Sequence, residues 1–182
     1  MGVFSRLKNL WRSRKAEPGV PSIDSSQEDV VPGDIIDLDL THWTVIGTVA
    51  YFDPGHTPHR FAYYLQSGSE QACLILERGR SLEALFARFV EGSLDNPQKV
   101  PTQLNVSGVP YRLEWYRKDQ VVTKGSTDFR SHDRVVYWRY LGGTDKDSYF
   151  ILQWQDGKFV ALEAERLPSA AFKIMKVGSP QA

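Results

Sequence analysis

Residues 135–166 of the chain, VVYWRYLGGTDKDSYFILQWQDGKFVALEAER, decide its fold class. β-branched and aromatic residues fill runs that end at turn residues, which is typical of strands. The first two runs, Val135–Leu141 and Ser148–Gln155, are predicted to pair across Gly142-Gly143. Asp156-Gly157 then predicts a type I′ hairpin before the third run, because both central residues of that turn need positive φ.

Strands of the same kind are predicted upstream. Trp43–Phe52 forms one, and Arg60–Gln66 and Gln71–Glu77 are predicted to pair across a Ser-Gly-Ser turn at residues 67–69. Residues 81–90 are ambiguous, because their apolar positions also fit one face of a helix. We expect a strand there, since an internal repeat aligns Ser81–Ala87 with the strand after Asp156-Gly157.

This internal repeat divides the body into two related halves. The matched stretches keep their order along the chain: Leu38–His42 with Leu104–Gly108, Phe61–Leu65 with Tyr137–Leu141, and Leu74–Glu77 with Phe150–Gln153. Many short strands with frequent turns indicate a sandwich or a barrel. We therefore predict a mainly β fold, two halves of short antiparallel strands in a sandwich or small barrel, preceded by an N-terminal amphipathic helix.

The first sixteen residues differ from the body. Apolar side chains recur at helical spacing, and basic ones lie largely off that face, a pattern typical of interfacial helices. The alternatives are a helix that packs on the body and a charged tail that frays. We expect residues 1–16 to dock on a membrane or a partner through Val3, Phe4, Leu7, Leu10 and Trp11, flanked by Arg6, Lys8, Arg12 and Lys15.

Composition indicates four parts of the chain. Residues 1–16 carry five basic residues and no acid, whereas residues 17–32 carry four acids among prolines and serines. We predict a basic helix over 1–16, an acidic linker over 17–32, a two-part β domain over 33–177 and a disordered tail over 178–182. The zero net charge of the 182-residue chain argues against nucleic acid as a partner.

Several motifs of the body resemble a known family. These are Gly33–Asp37, Trp43–Tyr51, Val109–Leu113, and Tyr137–Tyr140 leading into Phe150–Leu152. Over Val31–Lys176 the chain resembles the bacterial family called domain of unknown function 4178, which implies a mainly β, two-part domain and brings no catalytic residues. One departure is Leu152-Gln153-Trp154, where many members have Glu-x-Trp.

A second resemblance concerns the start of the chain. Met1–Lys8 looks like the amphipathic start of membrane-binding phage-shock-type proteins. Members of the resembled family are also often encoded near membrane-stress genes. Together these likenesses imply work at a membrane surface.

Signals of catalysis are weak. His56 and His59 flank a turn that also holds Asp53, so they are weak candidates for a metal site, although a solvated loop explains them better. Cys73 lies in an apolar strand, where core packing is expected rather than nucleophilic reactivity. The aromatic side chains Trp115, Trp138, Tyr140 and Trp154 are candidates for a partner groove, although core packing also explains aromatics of this kind.

We therefore expect a non-enzymatic adaptor or assembly factor for a membrane complex or a membrane-stress response. Its expected partners are an anionic membrane surface and a membrane-associated protein, at the cytoplasmic, inner face of the membrane, with no cofactor. One alternative is an enzyme with an unrecognised site, which a deep polar pocket with convergent carboxylates would favour. Another is a binder of single-stranded nucleic acid, with arginines such as Arg112, Arg117 and Arg139 interleaved among the aromatics.

Overall fold

The structure, a computed structural model, describes residues 29–92, 96–143, 147–168 and 170–177. The helix predicted over residues 1–16, the linker as far as residue 28 and the tail over 178–182 lie outside these residues. Within them, no helix is long and apolar enough to cross a bilayer.

The described chain is built mainly from antiparallel strands. They are β1 (Ile35–Leu38), β2 (Thr41–Phe52), β3 (Arg60–Ser67), β4 (Glu70–Arg78), β5 (Leu82–Val90), β6 (Gln103–Val106), β7 (Val109–Gly125), β8 (Arg134–Gly142), β9 (Ser148–Gln155), β10 (Lys158–Leu167) and β11 (Phe172–Met175), with a short 3₁₀ helix at Pro97–Lys99. The strand predicted over residues 81–90 is confirmed as β5, and its helical alternative is wrong.

Eight of these strands close into a barrel. Their order is β2-β3-β4-β5-β10-β9-β8-β7, and β7 pairs back onto β2 from Gly47 opposite Gly125 to Phe52 opposite Gln120. The hairpin and turn predictions are confirmed: β3 pairs β4, β8 pairs β9, and Asp156 and Gly157 have φ of 47° and 85°. Of the two architectures predicted, the barrel is the observed one.

The two halves, β1–β5 and β6–β10, repeat the same strand order, as predicted. Each contains a β-bulge at the same place, between Val45 and Gly47 in β2 and between Leu113 and Trp115 in β7. The residue matching is wrong by one or two positions, however. In the strand pairings Leu65 corresponds to Tyr140 rather than to Leu141. Leu65 faces Val45, the last residue before the bulge of β2, and Tyr140 faces Leu113, the last residue before the bulge of β7.

The bulges decide which side chains enter the barrel. Before its bulge, β7 places Leu113 beside the outward-facing Tyr140, and after it Trp115 lies beside the inward-facing Arg139. A bulge adds one residue and so exchanges the two faces of a strand. The first part of each bulged strand consequently covers an apolar cluster on the outside of its own half, while the second part lines the interior.

The body begins before the predicted boundary at Gly33. Val30 is buried in the outer cluster of the first half, so the predicted linker ends ahead of it. Asp34 fixes this region to the end of the chain, because its carboxylate accepts hydrogen bonds from the Val31 and Val177 amides, at 3.0 and 3.1 Å. Burial by itself would raise the pKa of Asp34, but these amides and Lys176 outweigh it and lower that pKa.

Closure of the barrel leaves no room for a side chain at one pair of its seam, Gly47 and Gly125. A Cβ on Gly47 would overlap the carbonyl oxygen of Ser126, and one on Gly125 would overlap that of Ile46. Gly125 also has a φ of +72°, which favours glycine. The β2–β7 seam therefore requires glycine on both strands.

We predict that Gly47→Ala lowers the free energy of unfolding by about 2 kcal/mol or more, because β2 and β7 must separate to admit the methyl group. Urea denaturation measures the change. Gly68→Ala is the control: its φ of +59° makes alanine strained, but no atom lies within 4 Å of the added Cβ. We expect it to cost only about 1 kcal/mol, and equal losses in the two variants would contradict the packed seam.

Candidate functional site

One end of the barrel is filled by apolar and neutral side chains. The loop that connects β7 to β8 carries Phe129, which is buried in the interior cluster. Gln155 holds this loop in place by accepting a hydrogen bond from the Arg130 amide at 2.7 Å and donating one to its carbonyl at 3.0 Å. We call this the plugged end.

The opposite end, where β4 ends and β5 begins, is charged, and we call it the mouth. Arg60 is 2% exposed there, and its Nε donates to Glu77 Oε1 at 2.9 Å. Its Nη1 donates to Asp119 Oδ2 at 3.0 Å, and its guanidinium lies 3.7 Å from the centre of the Tyr137 ring. Two carboxylates and an aromatic face thus compensate for the loss of water around this charge.

Arg139 forms the second centre of the mouth. Its Nη1 donates to Glu77 Oε2 and to Glu83 Oε2, the latter at 2.6 Å, and its Nε lies 3.0 Å from Glu114 Oε2. Burial by itself would raise the pKa of Glu83, but Arg139 and Arg166 outweigh it and hold that pKa below its ordinary value. Glu83 is therefore ionised at neutral pH.

A third group of charges lies beside the first. Asp119 is fully buried, with His59 Nε2 at 3.3 Å from its Oδ2 and Arg117 Nε at 3.5 Å from its Oδ1. Arg117 also donates to Asp53 Oδ2 at 2.7 Å. Burial by itself would raise the pKa of Asp119, but His59, Arg60 and Arg117 outweigh it and lower that pKa.

A pocket of about 510 Å³ opens above Arg139. The turn between β4 and β5, residues 79–81, forms one rim, and Trp115 and Arg166 line the pocket from the second half of the chain. This volume is within the range of small-molecule sites. The barrel interior below is packed with tyrosines such as Tyr51 and Tyr137, so space for a ligand is found at the mouth rather than deeper.

The repeat explains why the mouth is open. Glu77 occupies the ladder position that Gln155 occupies in the second half, as the pairings of β4 and β9 show. Gln155 holds the loop that carries Phe129, whereas Glu77 binds arginines. The equivalent loop of the first half, residues 53–59, has exposed residues at its centre. The two ends thus differ in that one loop places a side chain in the barrel interior and the equivalent loop does not.

The structure does not bring the four residues of the predicted partner groove together. Trp138 and Tyr140 are buried, and Trp154 packs against the same outer cluster of the second half, which β6 and the start of β7 cover. Trp115 lies instead at the mouth, stacked on Tyr137 with ring centres 5.5 Å apart. Strand alternation separates it from the other three, because they face outward.

The arginines proposed for nucleic-acid stacking are also dispersed. Arg112 is exposed, whereas Arg139 is enclosed at the mouth and Arg117 pairs with Asp53 and Asp119. They do not form one basic surface.

The weak metal candidates have separate partners. His56 is exposed, with its ring near the Pro54 carbonyl, while His59 turns to Asp119. Among the described residues, no group of three or more histidine, cysteine or acidic side chains is placed to hold a metal ion. Cys73 is buried in the interior, as predicted, and burial raises the pKa of its thiol. The docking residues predicted within 1–16 lie outside the described chain.

Sequence reasoning missed the charges of the mouth. A signal was present, because Arg139 interrupts the aromatic run Tyr137–Tyr140 and Glu77 follows the apolar residues Leu74–Leu76. Charged residues are rarely buried unless they are paired, so charges inside apolar strands indicate a buried ionic network.

Of three comparisons with known proteins, only the comparison with family models found a match. The family model described as Domain of unknown function (DUF4178) matches residues 31–169. Searches of curated proteins and of solved structures found no match.

We predict that Asp119→Asn lowers the free energy of unfolding at pH 7 by about 3 kcal/mol, because it leaves Arg60 facing a neutral group in the interior. A carboxyl whose pKa is lowered by folding stabilises the fold at pH values above its ordinary pKa of 3.8. This stabilisation is lost as the pH falls through the pKa of the folded state. The difference between wild type and variant should therefore shrink below about pH 4.

Urea denaturation between pH 7 and pH 3 measures this difference. Asp37→Asn is the control, since Asp37 is partly exposed and lies 3.6 Å from His42 on the surface. We expect it to cost less than about 0.5 kcal/mol. A loss at Asp119 that is the same at every pH would contradict the role of its charge.

Proposed function

Given that the chain belongs to the family described as Domain of unknown function (DUF4178), we propose that it is a non-enzymatic adaptor at the cytoplasmic face of a bacterial membrane. Residues 1–16 attach it to anionic lipid. The barrel is the rigid module that binds a membrane-associated partner, in the assembly of a membrane complex or in a response to membrane stress.

The pairing of the mouth carboxylates supports binding rather than catalysis. General acid catalysis needs a carboxyl that is protonated near the working pH. The lowered pKa of Glu83 disfavours that role for it, and Glu77 accepts hydrogen bonds from two arginines. The buried thiol of Cys73, with its raised pKa, is a poor nucleophile.

An enzyme acting at the mouth is the second candidate. The observation that favours it is the convergence of Glu77, Glu83 and Glu114 on one pocket. Of these, Glu114 is the most exposed, at 39% of its side chain, and is paired with Arg139. Catalysis would require Arg139 to release one of the three, which costs the energy of a nearly buried ion pair.

The membrane attachment is supported by the sequence of residues 1–16. Each apolar side chain that becomes buried contributes roughly 1.5–3 kcal/mol, and each basic residue about 1 kcal/mol near an anionic surface. Ordering the segment costs about 1 kcal/mol or more per residue. These opposing contributions are of similar size, so the attachment is reversible and responds to lipid charge.

We predict that Phe4→Glu combined with Trp11→Glu abolishes binding to anionic vesicles, because both changes place a charge at the acyl boundary. Replacing Arg12 and Lys15 by Gln should weaken binding by about 2 kcal/mol, and high salt should reduce that difference. Co-sedimentation with liposomes across a salt series measures both effects.

Neutral vesicles serve as the control for charge and should bind the wild type poorly. If the double glutamate variant pellets with anionic vesicles as the wild type does, residues 1–16 are not a membrane anchor. In that case the segment is better explained as a docking site for a protein partner.

A further inference from the structure

Within the described residues, the mouth pocket has hydrogen-bond donors without acceptors. Arg139 is buried, yet its Nε has no aligned acceptor, although Glu114 lies 3.0 Å away. Arg166 donates through Nε to Glu83 at 2.8 Å, but its Nη1 lies 3.8 Å from Asp147, beyond hydrogen-bond distance. Arg80, on the rim, is exposed and makes no ion pair or hydrogen bond with the described residues.

The deeper acceptors of the pocket are already used. Glu77 accepts through Oε1 from Arg60 and from the Tyr137 hydroxyl, and through Oε2 from Arg139. Glu83 accepts from Arg166, Arg139 and the Tyr149 hydroxyl. A guanidinium has five N–H donors and no acceptor. The arginines of the pocket therefore carry more N–H donors than these two carboxylates can accept.

From this surplus we propose that the mouth pocket binds a small ligand through an anionic phosphate group. The group sits between Arg80 and Arg166, within reach of Arg139, because guanidinium forks match the oxygens of such anions. Trp115 forms an apolar wall for the rest of the ligand. At the plugged end the loop between β7 and β8 buries Phe129, whereas the equivalent loop of the first half, residues 53–59, has an exposed centre.

The anionic group can belong to a soluble metabolite or to a lipid headgroup. This inference rests on the proposed function only in treating the barrel as a binding module, and it does not depend on attachment through residues 1–16. Vesicle co-sedimentation and ligand binding therefore test the two proposals separately.

The experiment is calorimetric titration of the full-length chain with sodium phosphate and, in a second arm, with soluble dihexanoyl phosphatidate. Tetramethylammonium chloride at equal ionic strength is the control for charge. We expect saturable binding of an anion and none of the cation. Arg80→Gln should weaken that binding about tenfold, as the loss of a charged hydrogen bond implies.

Arg134→Gln is the matched control variant. Arg134 is also exposed and makes no ion pair or side-chain hydrogen bond with the described residues, but it begins β8 at the plugged end. It should leave the affinity within twofold of the wild type. Binding of phosphate assigns the site to soluble anions, and binding of phosphatidate alone assigns it to lipid headgroups, provided that Arg80→Gln weakens either one.

Two results would overturn the inference. One is the absence of saturable binding in both arms. The other is an equal loss of affinity in Arg80→Gln and Arg134→Gln, which would show that the anion is attracted nonspecifically to basic residues of the surface. If the wild type pellets with anionic vesicles but neither anion binds saturably, the membrane attachment stands and the ligand site does not.

Discussion

The seam between β2 and β7 holds the barrel closed, and it depends on the direct approach of Gly47 and Gly125. A Cβ at either position would overlap neighbouring backbone, so the two strands would have to separate there. Closure also brings residues of the first half beside residues of the second. The contacts of Arg60 with Asp119 and of Glu77 with Arg139 exist because this seam places the halves around one axis.

The charged mouth follows from the same geometry. An eight-stranded barrel is just wide enough for its side chains to fill, so each end must be packed or left as a cavity. At the plugged end Phe129 and Gln155 complete the packing. At the mouth Arg60 and Arg139 occupy the centre, and burial of their charges requires the surrounding carboxylates. This arrangement fixes side chains in one geometry, which suits a preformed binding site.

Local features of the fold were predictable because they depend on neighbouring residues. The turn at Asp156-Gly157 needs two positive φ values, which this residue pair adopts readily, and the structure has them. The order of the halves was also readable, since turns and apolar runs recur. The inward face of β2 and β7 was not, because the added residue in each bulge exchanges the two faces of its strand without leaving a mark in the sequence.

The sequence by itself determined that the body is made of short antiparallel strands in two related halves, and that Cys73 is buried. Only the tertiary structure decided which face of each strand turns inward. In β8 both faces carry large side chains, so alternation alone could not distinguish Tyr137 and Arg139 from Trp138 and Tyr140. The inner face is chosen by closure across pairs some seventy residues apart along the chain. Because the mouth is assembled from such pairs, its site is a property of the closed barrel and not of any one segment.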